Sequence, residues 1–180
     1  MRILVIEDED AVARRIAADI QRLGDTVIGP FDSSGDAITH LGAAEAAILG
    51  RHPGDGGARA MADRLTQAEK PFILLEGQVK PLLRMLPAHD TAGISRSMVI
   101  DLHARRLRSG RASAGDMLAD MLSYARLRVS DRALAERLVE NVMLRAISAV
   151  QNDPILPDLR AMVANLLDRE IAAHSGRQLH

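Results

Sequence analysis

The stretch Arg2–Asp10, RILVIEDED, runs an apolar segment straight into a cluster of acids, and its reading decides the fold. Ile3, Leu4, Val5 and Ile6 form a short, β-branched-rich run suited to a buried strand, and Glu7, Asp8, Glu9 and Asp10 follow without a break. In an open α/β sheet the carboxyl end of a strand is where ligands bind. Acids held this closely repel one another, so they call for a cation or a helix N-terminus nearby. Glu9 and Asp10 suit the start and cap of the next helix. Glu7 and Asp8 are the candidate divalent-ion ligands, since hard carboxylates suit Mg²⁺.

Working outward from that strand, Val12, Ile16, Ile20 and Leu23 recur at helical spacing with charged residues between them, and Gly24-Asp25 supplies a stop. Thr26–Gly29 reads as a second strand, ended by Pro30, and a short helix is expected around Asp36–Leu41. Glu45–Leu49 reads as a third strand ending at Gly50. The loop RHPGDGG follows, then a helix over Ala58–Gln67 and a fourth strand at Pro71–Leu75, which ends at Glu76-Gly77. Strands alternating with helices in this way predict a parallel sheet with right-handed crossovers.

Beyond Gln78 the alternation stops and everything reads as helical. Met98–Leu107 is one helix; Ala114, Met117, Leu118, Met121, Leu122 and Ala125 make a stripe on the next, started near Ser113 or Asp116. Ser130 can cap a third, with Leu134, Leu138, Val142, Met143, Ile147 and Val150 on one side. After Asn152-Asp153-Pro154, Leu159, Met162, Val163, Leu166, Leu167 and Ile171 make a fourth stripe. Four stripes on short connections predict a helical bundle, in which one stripe is core or a dimer seam. The expected organisation is an α/β module over residues 1–80 and an all-α module over 93–176.

Composition narrows the function classes. The 180-residue chain is 47% hydrophobic but only 2% aromatic, so its core is built from aliphatic residues and Met. It contains no Cys, which excludes disulfides, thiolate metal sites and Cys nucleophiles. No apolar run reaches membrane-spanning length, and the N-terminus lacks a basic region followed by an apolar segment, so a cytoplasmic protein is expected. Residues 1–90 carry 10 Lys and Arg against 14 Asp and Glu, whereas residues 91–180 carry 13 against 10. That mild basic excess is too small to argue nucleic-acid binding alone.

The order RILVIEDED, helix, TVIGP, short helix, EAAILG, loop, helix, PFILLEG resembles the receiver domain of bacterial response regulators over roughly residues 1–80. The resemblance implies a flavodoxin-like parallel sheet, here truncated after four strands, followed by the helical bundle. In that family, acids after the first strand bind Mg²⁺, an Asp ends the third strand and accepts a phosphoryl group, a Ser or Thr ends the fourth, and a Lys before Pro ends the fifth. Glu7 and Asp8 match the acidic pair by position. Where the acceptor Asp should stand there is Gly50, which has no nucleophile. At the Ser/Thr position stands Glu76, whose charge opposes an incoming phosphoryl group. Lys80-Pro81 has the look of the Lys-Pro pair, but it lies too close behind Glu76 to leave room for a fourth helix and fifth strand. The implied protein is a pseudo-receiver that signals through a protein partner, with a homodimer through its C-terminal helices, no cofactor, and at most weak Mg²⁺ at Glu7 and Asp8.

Two other constellations define alternatives. His103 lies in IDLHARRLRSG on a helix with basic neighbours, which loosely resembles the phosphotransfer segment of histidine kinases; otherwise it is a solvated surface His. Arg105, Arg106, Arg108 and Arg111 could contact nucleic-acid phosphates, or form a solvated face. An enzyme has little support. GDGG at Gly54–Gly57 lacks the Lys-Ser/Thr of a phosphate-binding loop, no HExxH or GxSxG occurs, and Asp55 reads as a surface turn residue. The remaining His are scattered without metal-ligand spacing.

Overall fold

The computed structural model describes residues 1–50, 56–75, 88–109, 114–152 and 158–177. Four strands, β1 (Arg2–Ile6), β2 (Thr26–Phe31), β3 (Ala46–Gly50) and β4 (Phe72–Leu75), form one parallel sheet in the order β2-β1-β3-β4. Between them run α1 (Asp10–Arg22), the short α2 (Ser34–Ala37) with a single 3-10 turn at Ile38–His40, and α3 (Gly56–Gln67). The helices that follow are α4 (Ala88–Ser109), α5 (Ala114–Arg128), α6 (Arg132–Asn152) and α7 (Leu159–Arg177). This is an α/β sheet followed by a helical region, as expected. Among the described residues no helix is long and apolar enough to cross a membrane.

The central strands are apolar without alternation because both of their faces are covered. Ile3, Leu4, Val5 and Ile6 of β1 are buried, as are Ala46, Ala47, Ile48 and Leu49 of β3. On one face Leu4, Ile6, Ala47 and Leu49 pack with Ala37, Ala44, Met61 and Leu65, which brings α2 and α3 onto the sheet. Val12, Ile16 and Ile20 are the buried stripe of α1, at the spacing read from the sequence. The helix ends where Gly24, at φ +89°, turns the chain toward β2.

Pro30 does not end β2. The strand continues through it to Phe31, and the register slips there: Leu4 pairs with Ile28, but Ile6 pairs with Phe31. Gly29, at φ +97°, forms this irregularity, and β2 is an edge strand, where a residue without an N–H is tolerated. A Cβ at Gly29 would fall 2.8 Å from Phe31 Cδ2 and 3.0 Å from the Val5 carbonyl oxygen, in a conformation unfavourable to any L side chain. Gly29→Ala is therefore expected to lower stability by about 2 kcal/mol, read as a shift of the urea midpoint at unchanged slope.

The chain divides into two compact units, Met1–Leu102 and His103–His180. The division falls inside α4, which begins well before the Met98 expected from the sequence. Its early part, with Thr91, Gly93, Ser95 and Ser97, carries no apolar stripe that would announce a helix. In the second unit α5, α6 and α7 each pack on the other two. Their buried faces are Met117, Met121, Tyr124 and Ala125 on α5; Ala135, Leu138, Val139, Val142 and Ala146 on α6; and Val163, Ala164, Leu167 and Ile171 on α7. The stripe expected on α6 is thus partly displaced, since Ile147 and Val150 are 49% and 39% exposed. The cap of α6 is Asp131 rather than Ser130: its Oδ1 accepts from the N–H groups of Ala133 at 2.8 Å and Leu134 at 3.2 Å. Asp158 caps α7 in the same way, accepting from Ala161 N–H at 2.9 Å.

Candidate functional site

A strand order of 2-1-3-4 reverses direction between β1 and β3, and the crevice outside their carboxyl ends is where doubly wound sheets bind ligands. The four acids after β1 arrive at this place and then separate. Glu7 is buried at 3% exposure, whereas Asp8 is exposed. Glu9 is the N-cap residue of α1 but makes no side-chain cap bond, and Asp10, in the first turn, is ion-paired with Arg14 at 2.5 Å. The Glu7 carboxylate bends back onto the start of α1, where its Oε1 accepts from Glu9 N–H at 2.9 Å. A carboxylate beside a helix N-terminus is in a favourable field.

The same carboxylate packs on Gly50, the last residue of β3. A Cβ built there would lie 2.9 Å from Glu7 Cδ, 3.2 Å from the Ile6 carbonyl oxygen, and closer still to Glu7 Oε2. Gly50 continues the strand backbone, so it is the space above it, rather than a special φ, that resists a side chain: the Glu7 carboxylate would have to shift to admit one. At the switch point, then, Glu7 occupies the volume that a side chain at position 50 would need.

The three-carboxylate Mg²⁺ site of a receiver is not assembled here. Glu7 packs inward against Gly50, Asp8 is exposed, and position 50 offers no side-chain oxygen. Among the described residues no three His, Asp or Glu side chains stand where they could hold a metal ion. Glu76, Lys80, Asp55 and Arg111 lie outside the described residues.

A second polar cluster lies within the His103–His180 unit. Arg106 Nε donates to Asp120 Oδ1 at 2.8 Å, and Arg160 Nη1 lies 3.8 Å from Asp120 Oδ2 while donating to the Leu107 carbonyl at 3.2 Å. Arg108 Nη2 pairs with Asp168 Oδ2 at 2.5 Å, and the hydroxyl of buried Tyr124 donates to Asp168 Oδ1 at 2.6 Å. Arg128 Nη1 donates to the Tyr124 oxygen at 3.1 Å, and its guanidinium carbon lies 5.8 Å from the centre of the ring. Two members of the Arg set read from the sequence, Arg106 and Arg108, therefore brace the helices, and Arg105 is exposed. His103 is not on the surface as expected but buried, at 2% exposure. Sequence reasoning did not single out Tyr124, Asp120 or Asp168; the i, i+4 spacing of Tyr124 and Arg128, which do meet, was the available signal.

The Tyr124 phenol is pushed up to about 12, first by burial and then by its hydrogen bond to Asp168 and the charge of that carboxylate, with Arg128 and Arg108 acting in the opposite sense. The folded chain keeps this proton where the unfolded chain loses it near pH 10. The stabilisation is therefore fully present below about pH 10 and lost as pH rises toward 12. Urea unfolding across that interval is expected to show a loss of roughly 2 kcal/mol, and a smaller one in Tyr124→Phe.

Compared with known proteins, the chain matches no family model, no curated protein and no solved structure. The fold and side-chain geometry alone define its class: a four-stranded parallel α/β unit whose switch point is filled by its own carboxylate, followed by a helical unit braced by ion pairs.

Proposed function

We propose that this chain is a non-catalytic regulatory protein, a degenerate receiver attached to a helical assembly module, which signals through protein contacts without aspartyl phosphorylation. The observation that carries this reading is the packing of the Glu7 carboxylate on Gly50 at the β1/β3 switch point. A receiver needs a nucleophilic carboxylate on β3, and space above it for a phosphoryl group and a cation. Here the nucleophile is absent and the space is taken. The strand order β2-β1-β3-β4, the first four places of the 2-1-3-4-5 sheet, supports the receiver-like part. Without a phosphorylation trigger, any change of state must come from differential binding of a partner. The partner is a signalling protein in the cytoplasm, and the chain acts as a homodimer through its C-terminal helices.

The test is incubation of the full chain with Mg²⁺ and a small-molecule phosphoryl donor such as acetyl phosphate, read by intact mass. No phosphoryl adduct is expected. A stoichiometric acid-stable, base-labile adduct would overturn the reading, and an acid-labile one lost in His103→Ala would replace it with histidine phosphotransfer.

A further inference from the structure

Helix α6 has two apolar faces, and only one of them is used within its own unit. Ala135, Leu138, Val139, Val142 and Ala146 are buried, while Leu144 is 60% exposed, Ile147 49% and Val150 39%. The outward residues Ala133, Arg137, Glu140, Leu144, Ile147 and Gln151 follow the alternating spacing of four and three that marks a helix-pairing seam. Half-buried Met143 and exposed Val150 flank this seam on one side, and exposed Asn141 and Ser148 on the other. From Asn141 to Gln151 the helix carries a single charge, Arg145, which is paired with Glu170 on α7 at 2.6 Å. An uncharged apolar window on an otherwise charged helix marks an interaction surface.

The charge pattern indicates what covers it. In a parallel pairing with a second copy, Arg137 would meet Arg137 and Glu140 would meet Glu140, and like charges at seam positions disfavour association. In an antiparallel pairing about a two-fold axis between Leu144 and Ile147, Leu144 of one copy meets Ile147 of the other. Met143 then flanks Val150, Asn141 lies by Ser148, Glu140 lies opposite Gln151, and no like charges meet. The patch is self-complementary under a two-fold operation, which is the requirement for an isologous dimer.

We propose that the exposed face of α6 is the self-association surface, joining two copies antiparallel with Leu144 of each against Ile147 of the other. This deepens the assembly role proposed above and rests on it. A window of three turns makes a small interface, under about 1,200 Å² in total, so the complex is weak and concentration-dependent.

Sedimentation equilibrium on the full chain tests it. The wild-type chain is expected to pass from monomer to dimer with rising concentration, and Leu144→Arg or Ile147→Glu alone to weaken dimerisation at least about tenfold, with unchanged helix content by circular dichroism. The double variant Leu144→Arg/Ile147→Glu is expected to dimerise again, because in the antiparallel register each introduced guanidinium faces an introduced carboxylate of the other copy. A dimer indifferent to both single substitutions would overturn the surface while leaving self-association intact. A double variant that stays dissociated would overturn the register and with it the proposal. A chain that is monomeric at every concentration would overturn both the surface and the homodimer, whereas the unphosphorylated reading falls only by uptake of a phosphoryl group.

Discussion

Gly50→Asp, the substitution that writes a receiver's acceptor into this chain, is expected to destabilise it by about 2–4 kcal/mol and to gain no phosphoryl group from acetyl phosphate and Mg²⁺. The reason is spatial before it is chemical. The first atom of any side chain at position 50 enters the volume held by the Glu7 carboxylate, which is buried and bonded to Glu9 N–H at 2.9 Å. An Asp adds a second carboxylate to the collision, so overpacking and like-charge repulsion act together. The smaller Gly50→Ala isolates the steric part, at about 1–3 kcal/mol. In a Glu7→Ala background the obstruction is gone, and Gly50→Ala should then cost less, by on the order of 1–2 kcal/mol. Urea midpoints of the wild type, the two single variants and the double variant close this cycle. Strict additivity would mean that Glu7 and Gly50 do not compete for one space.

Asp168→Ala is expected to cost about 2–4 kcal/mol. One carboxylate serves two partners there: it accepts the Tyr124 hydroxyl at 2.6 Å, and it pairs with Arg108 at 2.5 Å. Its loss leaves a phenol without an acceptor at a site where Tyr124 is 3% exposed, and releases a guanidinium that tied α4 to α7. Asp168→Asn retains an oxygen for the phenol and should cost roughly half as much. Tyr124→Phe removes the donor together with the need for an acceptor, so Asp168→Ala should be milder in that background. Thermal or urea unfolding of these variants decides it, and an Asp168→Ala chain as stable as wild type would show the cluster to be ornamental to the bundle.

Much of the architecture was legible in local patterning. The continuous apolar run of β1 indicated a buried strand, and the spacing of Val12, Ile16 and Ile20 indicated the apolar side of α1. These features persist in the fold because they depend on periods of two and 3.6 residues, which the chain carries without regard to what lies across from it. Where a local signal was ambiguous, the tertiary context decided. Pro30 looked like a stop, but an edge position and an adjacent Gly29 at positive φ let β2 continue. Ser130 and Asp131 were both competent caps, and the carboxylate took the position.

The sequence by itself determined the order of strands and helices, a glycine without a nucleophile at position 50, and the concentration of charge around His103. Only the tertiary structure decided what those residues do. Glu7 and Gly50 are distant in the chain and meet because β3 lies beside β1; no periodicity announces that a carboxylate fills the space above a glycine. Arg106 and Arg108 read as a free basic face until Asp120 and Asp168, from two other helices, arrive as their partners. Ile147 and Val150 read as core until the packing of α6 against α5 and α7 selects the other side of the helix. A residue's partners across the fold are set by which elements become neighbours, and that is a property of the packed chain rather than of any stretch within it.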